Sequence, residues 1–421
     1  MCCLMNPAIP NQIMEACFKK GFGVNRFRVL ESAGGWLHFR DRLRPGERVM
    51  HQDDFQSWIG LQQDIRYFQF GFMDGTLSLI GDTVRSRPAG AADAMFWQFP
   101  CCTEADAWQR HASLKHPVLR ENILHIYLGL PWATWIDMQH KVAWRGNAKA
   151  QLERQVAMLS VRISGWRRAL AEMDVQLAVH TVCQHIYWRG MLDTWTRVGV
   201  TDAWLSHCPA DSGDIEERCG LTLHPWSLYA VNVEDAARRE GVVVGKAPAD
   251  KTVLASFIGA HMPHYLSNVR LQLLKLADEP GMVVRLADQW HFENVVYEHQ
   301  IGGKPLVLDK GVSEAVIEYN RVLSDSVFAL CPAGAGANTL RFWEALAVGA
   351  IPVLLGHAPE LPRGGSLEDI DWGEIVVQAE HEDLCRLPDF LKSFSMDEVR
   401  ARQLKAMAAF EAVRNQRCFT A

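Results

Sequence analysis

Residues 326–356 read SVFALCPAGAGANTLRFWEALAVGAIPVLLG. The first seven are apolar and end at Pro332, as a buried strand would. Ala333, Gly334, Ala335, Gly336 and Ala337 are small enough to let the backbone approach a ligand closely. Asn338 or Thr339 can then cap a helix, which places Arg341 at its second or third position. A cation there opposes the helix dipole, and the conflict disappears if an anion sits at the helix N-terminus, held by backbone N–H groups and Arg341. Glu344 lies three residues further along the same face, where a carboxylate can accept hydrogen bonds from ribose hydroxyls. A phosphate site beside a ribose site describes a nucleotide. The competing reading is a surface Arg–Glu pair on an ordinary amphipathic helix.

Working outward, the same logic repeats. TVLASFIGA, MVVRLA, SVFALCP and IPVLL are apolar strand candidates, separated by the helical patterns NVRLQLLKLAD, SEAVIEYNRVLSD and TLRFWEALAVG. Alternating strands and helices with fully apolar strands predict a parallel sheet covered on both faces. Upstream, ILHIYLGL runs as a strand to Pro131, and VQLAVHTVC, VTDAWLSHC and LTLHPWSLYAV follow it, with helical patterns at 147–173 and around MLDTWTRVG. The charged stretch 235–251 is the linker candidate. The expected organisation is an N-terminal lobe over 1–240, in which 1–120 are hard to read, a donor lobe over 250–400, and a terminal helix or tail over 401–421. WLHFRDRL and IRYFQFGFM read as short strands or turns, and RSRPAGAAD as a loop.

Composition narrows the function. The chain has 421 residues, 48% hydrophobic and 22% charged, with a formal net charge of −6. That balance fits a globular protein and argues against one that coats nucleic acid. Eleven cysteines show no CxxC spacing, so neither a zinc ribbon nor a dithiol redox site is expected. No apolar run approaches the roughly 18 residues of a membrane span, and the expected location is the cytoplasm. Neither the P-loop spelling nor a complete GxGxxG is present: Gly334 and Gly336 supply two glycines, but Thr339 stands at the third position. Asp369-Ile370-Asp371 spells DxD, a metal-binding spelling, but lies beyond the main strands and is read as coincidence.

The quoted stretch resembles the C-terminal signature of the exostosin-like glycosyltransferases (family 47): a strand ending Leu-Cys-Pro, then Arg-x-x-Glu-Ala, then Gly-x-Ile-Pro-Val. IDWGEIVVQAEHEDLCRLPDFLKSFSMDEV is similar to the tail that follows it, and VLASFIGAHMPHYLSNVRLQL to the unit that opens the same lobe. WTRVGVTDAWLSHC weakly resembles the family's Gly-x-Asp-His-Phe…His-Asp segment, with Ala203 in place of a His and Cys208 in place of an Asp. The resemblance implies a GT-B fold, two Rossmann-like lobes facing each other across a cleft, and inverting transfer of a hexosyl or pentosyl group. The donor would be a nucleoside-diphosphate sugar, a UDP-sugar above all. The acceptor would be a glycan or lipid-linked glycan in surface polysaccharide or lipopolysaccharide synthesis at the inner face of the membrane. The family's Golgi-anchored members carry an N-terminal membrane helix. None is read here, which points to a bacterial enzyme with at most peripheral membrane association.

Within that frame Gly259, Arg270, Pro332, Gly334, Gly336, Asn338, Thr339, Arg341 and Glu344 form the expected donor site. Two arginines and a helix N-terminus would neutralise the diphosphate without a metal or other cofactor. An inverting transfer needs a base, and the N-terminal lobe offers His207 first, then His180, His185 and Asp202, read as lying near strand ends. Trp132, Trp135, Trp188 and Trp226 are candidates for stacking on sugar rings. The alternative is a catalytically silent carbohydrate-binding subunit of the same fold, favoured by Ala203 and Cys208.

Overall fold

The computed structural model describes the strands at 27–33, 36–41 and 47–51, and residues 97–98, 102–112, 118–141, 148–210, 213–287 and 310–416. The expectations for 65–73 and 85–93 fall outside these residues. Strands β1 (Phe27–Ala33), β2 (Trp36–Asp41) and β3 (Glu47–His51) form an antiparallel meander, so the WLHFRD reading is met by β2.

Two five-stranded sheets follow. The first comprises β4 (Val118–Arg120), β5 (Ile123–Tyr127), β6 (Gln176–Cys183), β7 (Asp202–Leu205) and β8 (Thr222–Pro225), in that spatial order. All its pairings are parallel except β4 with β5. The second comprises β9 (Val253–Ala260), β10 (Met282–Ala287), β11 (Ser326–Pro332), β12 (Ile351–Leu355) and β13 (Val377–Ala379). Its order is β10-β9-β11-β12-β13, and every pairing is parallel. The chain is therefore α/β with two Rossmann-like lobes, the GT-B arrangement.

Strand β11 shows why the sequence folds this way. Its alternate residues enter different cores. Ala329 and Cys331 join Phe342, Trp343, Leu346 and Phe410 on one face, while Phe328 and Leu330 join Leu273, Leu387 and Leu391 on the other. A strand buried on both faces has no polar side to show, hence the unbroken apolar run.

Several boundaries differ from the sequence reading. Strand β5 stops at Tyr127, and a helix, Trp132–Lys141, starts directly after Pro131. NVRLQLLKLAD makes only a short α-helix, Val269–Gln272, continued as 3₁₀ over Leu273–Leu276. The stretch 235–251 is strapped to the second lobe: Gly245 N–H donates to the Val348 carbonyl at 3.1 Å, and Lys246 pairs with Asp325. The last helix, Met396–Gln416, packs Ala406, Ala409, Phe410 and Val413 into the same core as the helix Leu340–Val348. No helix among the described residues is long and apolar enough to cross a membrane.

Gly349 ends the helix Leu340–Val348 in the left-handed region, with φ +77°. A Cβ there would lie 2.9 Å from Met407 Sδ. Gly349→Ala combines left-handed strain of about 1–2 kcal/mol with that clash. The urea midpoint should fall by at least that equivalent, and an unchanged midpoint would show that the last helix shifts freely.

Candidate functional site

In the second lobe the chain order reverses between β9 and β11. The crevice beyond the carboxyl ends of strands at such a point is where doubly wound sheets bind ligands. Two guanidinium groups occupy it. Arg270, from the helix after β9, donates from Nη1 to the Ala260 carbonyl at 2.8 Å, from Nε to Ala333 at 3.0 Å and from Nη2 to Pro332 at 3.2 Å. Its charge lies 4.7 Å from the Tyr265 ring centroid. Arg341 donates from Nη2 to the Ile258 carbonyl, and its Cζ lies 4.4 Å above the Phe257 ring. Both side chains are 9% exposed.

Burial, followed by the neighbouring Arg341 charge, lowers the pKa of Arg270 to about 10. It stays protonated at neutral pH. Among the described residues neither arginine has a carboxylate partner within ion-pair distance. Adjacent buried cations held by carbonyls and aromatic faces leave an excess of positive charge in a poorly solvated crevice, offset in part by the buried Glu344 carboxylate near Arg341. Arg270 directs three of its five N–H groups to carbonyls, which leaves two for an anion. The two nearby glycines fit this geometry: a Cβ at Gly259 would meet Arg341 Nη2 at 3.0 Å, and one at Gly334 would meet Arg270 Nη2 at 3.0 Å.

The other expected donor-site residues are placed differently. Glu344 is 1% exposed and already bonded through both oxygens. Oε1 accepts from the Asn232 side chain at 2.8 Å and from its backbone N–H at 3.2 Å, and Oε2 accepts from the Tyr319 hydroxyl at 2.6 Å. Burial raises its pKa. Oε2 keeps one acceptor position, but burial closes it to a ribose hydroxyl in this structure. Asn338 turns away from the arginines to the first lobe, donating to the Ser206 carbonyl at 2.7 Å. Thr339 is the helix N-cap, but its hydroxyl makes no capping bond.

On the first lobe the four candidate bases separate. His180 lies within β6, opposite Asp202 at the start of β7, three residues short of the strand ends at Cys183 and Leu205. At about 3.3 Å per residue, both sit roughly 10 Å back from the edge, not after the strands as read from sequence. They belong to a separate network: His180 Nδ1 accepts from Trp204 Nε1 at 3.2 Å, His180 Nε2 meets His125 Nδ1 at 2.8 Å, and Asp202 Oδ1 meets His224 Nε2 at 2.8 Å. Burial depresses the pKa of His180 to about 3. The sequence could not reveal this because strand register, not proximity in the chain, places His180 opposite Asp202.

His185 does follow β6. Its Nδ1 accepts from the Tyr187 N–H at 3.0 Å, so Nε2 carries the proton and faces Asp137 Oδ1 at 3.2 Å. Both ring nitrogens are thus engaged. His207, after β7, stands at the seam between lobes: a Cβ on Gly336 would collide with its Nδ1. Burial lowers its pKa to about 4, and its enclosed Nδ1 has no hydrogen-bond partner. It is therefore neutral at neutral pH.

Residues not singled out from sequence also shape the site. Asp137 orients His185. Glu104 accepts backbone N–H bonds from Ala133 and Gln184, each at 3.1 Å, and burial raises its pKa to about 8. Nothing in the sequence marked Glu104, because its partners Ala133 and Gln184 lie 29 and 80 residues away in the chain. The sugar-stacking expectation fails for Trp132, Trp135 and Trp188, which are at most 5% exposed inside the first lobe's core. Trp226 instead borders a cavity with Trp204, His224 and Arg363. Asp371 accepts from the Gly373 N–H at 2.9 Å, capping the short 3₁₀ turn Trp372–Glu374.

Residues 241–394 match the family model described as the Exostosin GT47 domain. The chain is similar to Exostosin-1 of Drosophila melanogaster, 33% identical over 94 residues, 22% of this chain and 12% of that protein. It is also similar to Exostosin-1b of Danio rerio, 32% identical over 95 residues, 23% of this chain and 12% of the relative. A solved structure described as the GtfA/B complex aligns at a TM-score of 0.29 and 10% identity over 60% of this chain and 56% of that one.

The buried His180 ties stability to pH in a definite direction. Its folded pKa of about 3 lies below the ordinary 6.5, so the unfolded chain binds the proton first as pH falls. Its contribution is complete above about pH 6.5 and is lost as pH falls toward 3. In urea titrations the stability gap between wild type and His180→Gln should narrow by up to about 1.4 kcal/mol per pH unit below that value. A gap constant from pH 7 to 5 would mean that His180 is already protonated or exposed in the fold.

Proposed function

We propose that this chain, whose residues 241–394 carry an exostosin-type glycosyltransferase domain, moves a sugar from a nucleoside-diphosphate donor to a glycan or lipid-linked glycan acceptor. The observation that carries the reading is the pair of buried guanidiniums at the β9–β11 switch point without an ion-paired carboxylate. A diphosphate supplies the missing negative charge, and it gains a further unit as the bond to the sugar breaks. Bidentate guanidinium donors suit phosphate oxygens. UDP is the proposed nucleotide, and a hexosyl or pentosyl group the proposed cargo.

In the proposed mechanism the acceptor hydroxyl attacks the anomeric carbon from the face opposite the diphosphate, inverting the centre. As the bond to the diphosphate breaks, a base on the first lobe takes the hydroxyl proton. His207 is that base, supported by its place at the seam and its neutral ring. Arg270 and Arg341 hold the departing diphosphate, and transfer needs no divalent cation. The setting we propose is surface-glycan assembly on the cytoplasmic side of a membrane.

A thermal-shift panel of UDP, GDP, CMP, ADP and NAD tests the donor, since binding to the folded state raises apparent stability. UDP should give the largest shift. Arg341→Ala should weaken UDP about 10- to 150-fold, the equivalent of a charge-assisted bond of about 1.5–3 kcal/mol. A shift with NAD alone would sink the proposal.

Turnover tests the base and the metal. His207→Ala should keep UDP affinity while transfer falls by about 10²–10⁴. Sugar transfer, followed as UDP release with candidate acceptors, should persist in excess EDTA. Normal turnover in the variant would remove His207 from the mechanism, and loss in EDTA with rescue by Mn²⁺ would replace the arginine account.

A further inference from the structure

Asn338 is 5% exposed and belongs to the second lobe, yet its amide group reaches into the first. Nδ2 donates to the Ser206 carbonyl at 2.7 Å, just past the end of β7, and lies 3.4 Å from the Trp226 carbonyl, just past β8. Oδ1 accepts from Trp343 Nε1 at 2.8 Å. That indole N–H settles which way the amide points: only an oxygen can accept it, so the NH₂ must face the two carbonyls. A buried amide with all these partners met is rigid, and removing any of them leaves an unsatisfied polar group.

The anchor point matters. Ser206 immediately precedes His207, and the His207 carbonyl itself accepts from Trp188 Nε1 at 3.1 Å. Both peptide carbonyls flanking the imidazole's Cα are therefore fixed, one from each lobe. Two residues before Asn338, Gly336 offers a backbone without a side chain to the imidazole ring. The first lobe's strand ends are themselves linked, by Ser206 N–H to the Cys183 carbonyl at 3.1 Å and Trp226 N–H to the Leu205 carbonyl at 2.9 Å. A pull on Ser206 is thus transmitted to the ends of β6, β7 and β8 together.

We propose that Asn338 is a positioning residue, an interlobe clamp that sets where His207 stands relative to the arginine crevice. The catalytic part of this proposal rests on His207 being the base. The clamp itself does not. It assigns to the Asn338 side chain a role other than phosphate contact: its amide has no donor left for an anion, because both amide hydrogens face carbonyl oxygens.

The test uses the full chain and three readouts. In Asn338→Ala, hydrogen–deuterium exchange in peptides covering 203–209 and 224–230 should accelerate, reporting release of Ser206 and Trp226. UDP affinity should stay within about twofold while kcat falls about 10- to 100-fold, as expected when a base is displaced by up to about 1 Å. Asn338→Asp keeps the size and the acceptor for Trp343 Nε1 but sets an oxygen against the two carbonyls, and should shift exchange and kcat the same way, which keeps the test valid if Asn338→Ala folds poorly. Unchanged exchange in both variants overturns the clamp whatever the activity. A parallel loss of UDP affinity and kcat also overturns it, by returning Asn338 to the phosphate site. Wild type that neither binds UDP nor transfers sugar would end the functional reading, and the exchange result would still decide the clamp.

Discussion

Two like charges buried side by side are the constraint around which the second lobe is organised. Arg270 and Arg341 come from different helices and meet where β9 and β11 diverge. Each is held by backbone carbonyls at the strand ends and by an aromatic ring. The carbonyls are available because parallel strands end there together, and the rings come from Phe257 and Tyr265. Carbonyl dipoles and π faces solvate a guanidinium only in part. The fold thereby keeps a positive crevice that a carboxylate partner would have cancelled, and Glu344, the nearest acid by sequence, is held by Asn232 and Tyr319.

The opposite wall carries His207 and, beside it, the His185–Asp137 pair. His207 is kept from protonation by burial, and His185 is held as the Nε2–H tautomer between the Tyr187 amide and Asp137. A cationic crevice facing an uncharged imidazole suits separation of an anionic leaving group on one side and proton removal on the other. At His207 the walls are joined by the Asn338 amide, which donates to Ser206, and by the close approach of Gly336.

The parallel architecture was legible because strands buried on both faces must be apolar, and β9, β11 and β12 are. Both arginines could be picked out as candidates, since each opens a helix that follows an apolar strand, Arg341 across a glycine-rich turn and Arg270 after β9 with its Gly259. The histidines were less so. His180 and His207 look alike in sequence, as polar residues near apolar runs, and only register shows that one is inside a strand and the other beyond it. Tryptophan number carried little, because Trp132, Trp135 and Trp188 satisfy the core and not a surface.

By itself the sequence determined the local grammar: which runs are strands, where the chain turns beside Pro332 and the glycines, and that a cation begins a helix where the backbone favours an anion. The partners were decided by the tertiary structure. Asn338 and Ser206 are 132 residues apart, as are the two ends of their hydrogen bond, and Asn232 and Glu344 are separated by 112. A side chain's local spacing states what it can donate or accept. Which long-range group collects that bond depends on how two separately folded sheets dock, and that information is distributed over the whole interface.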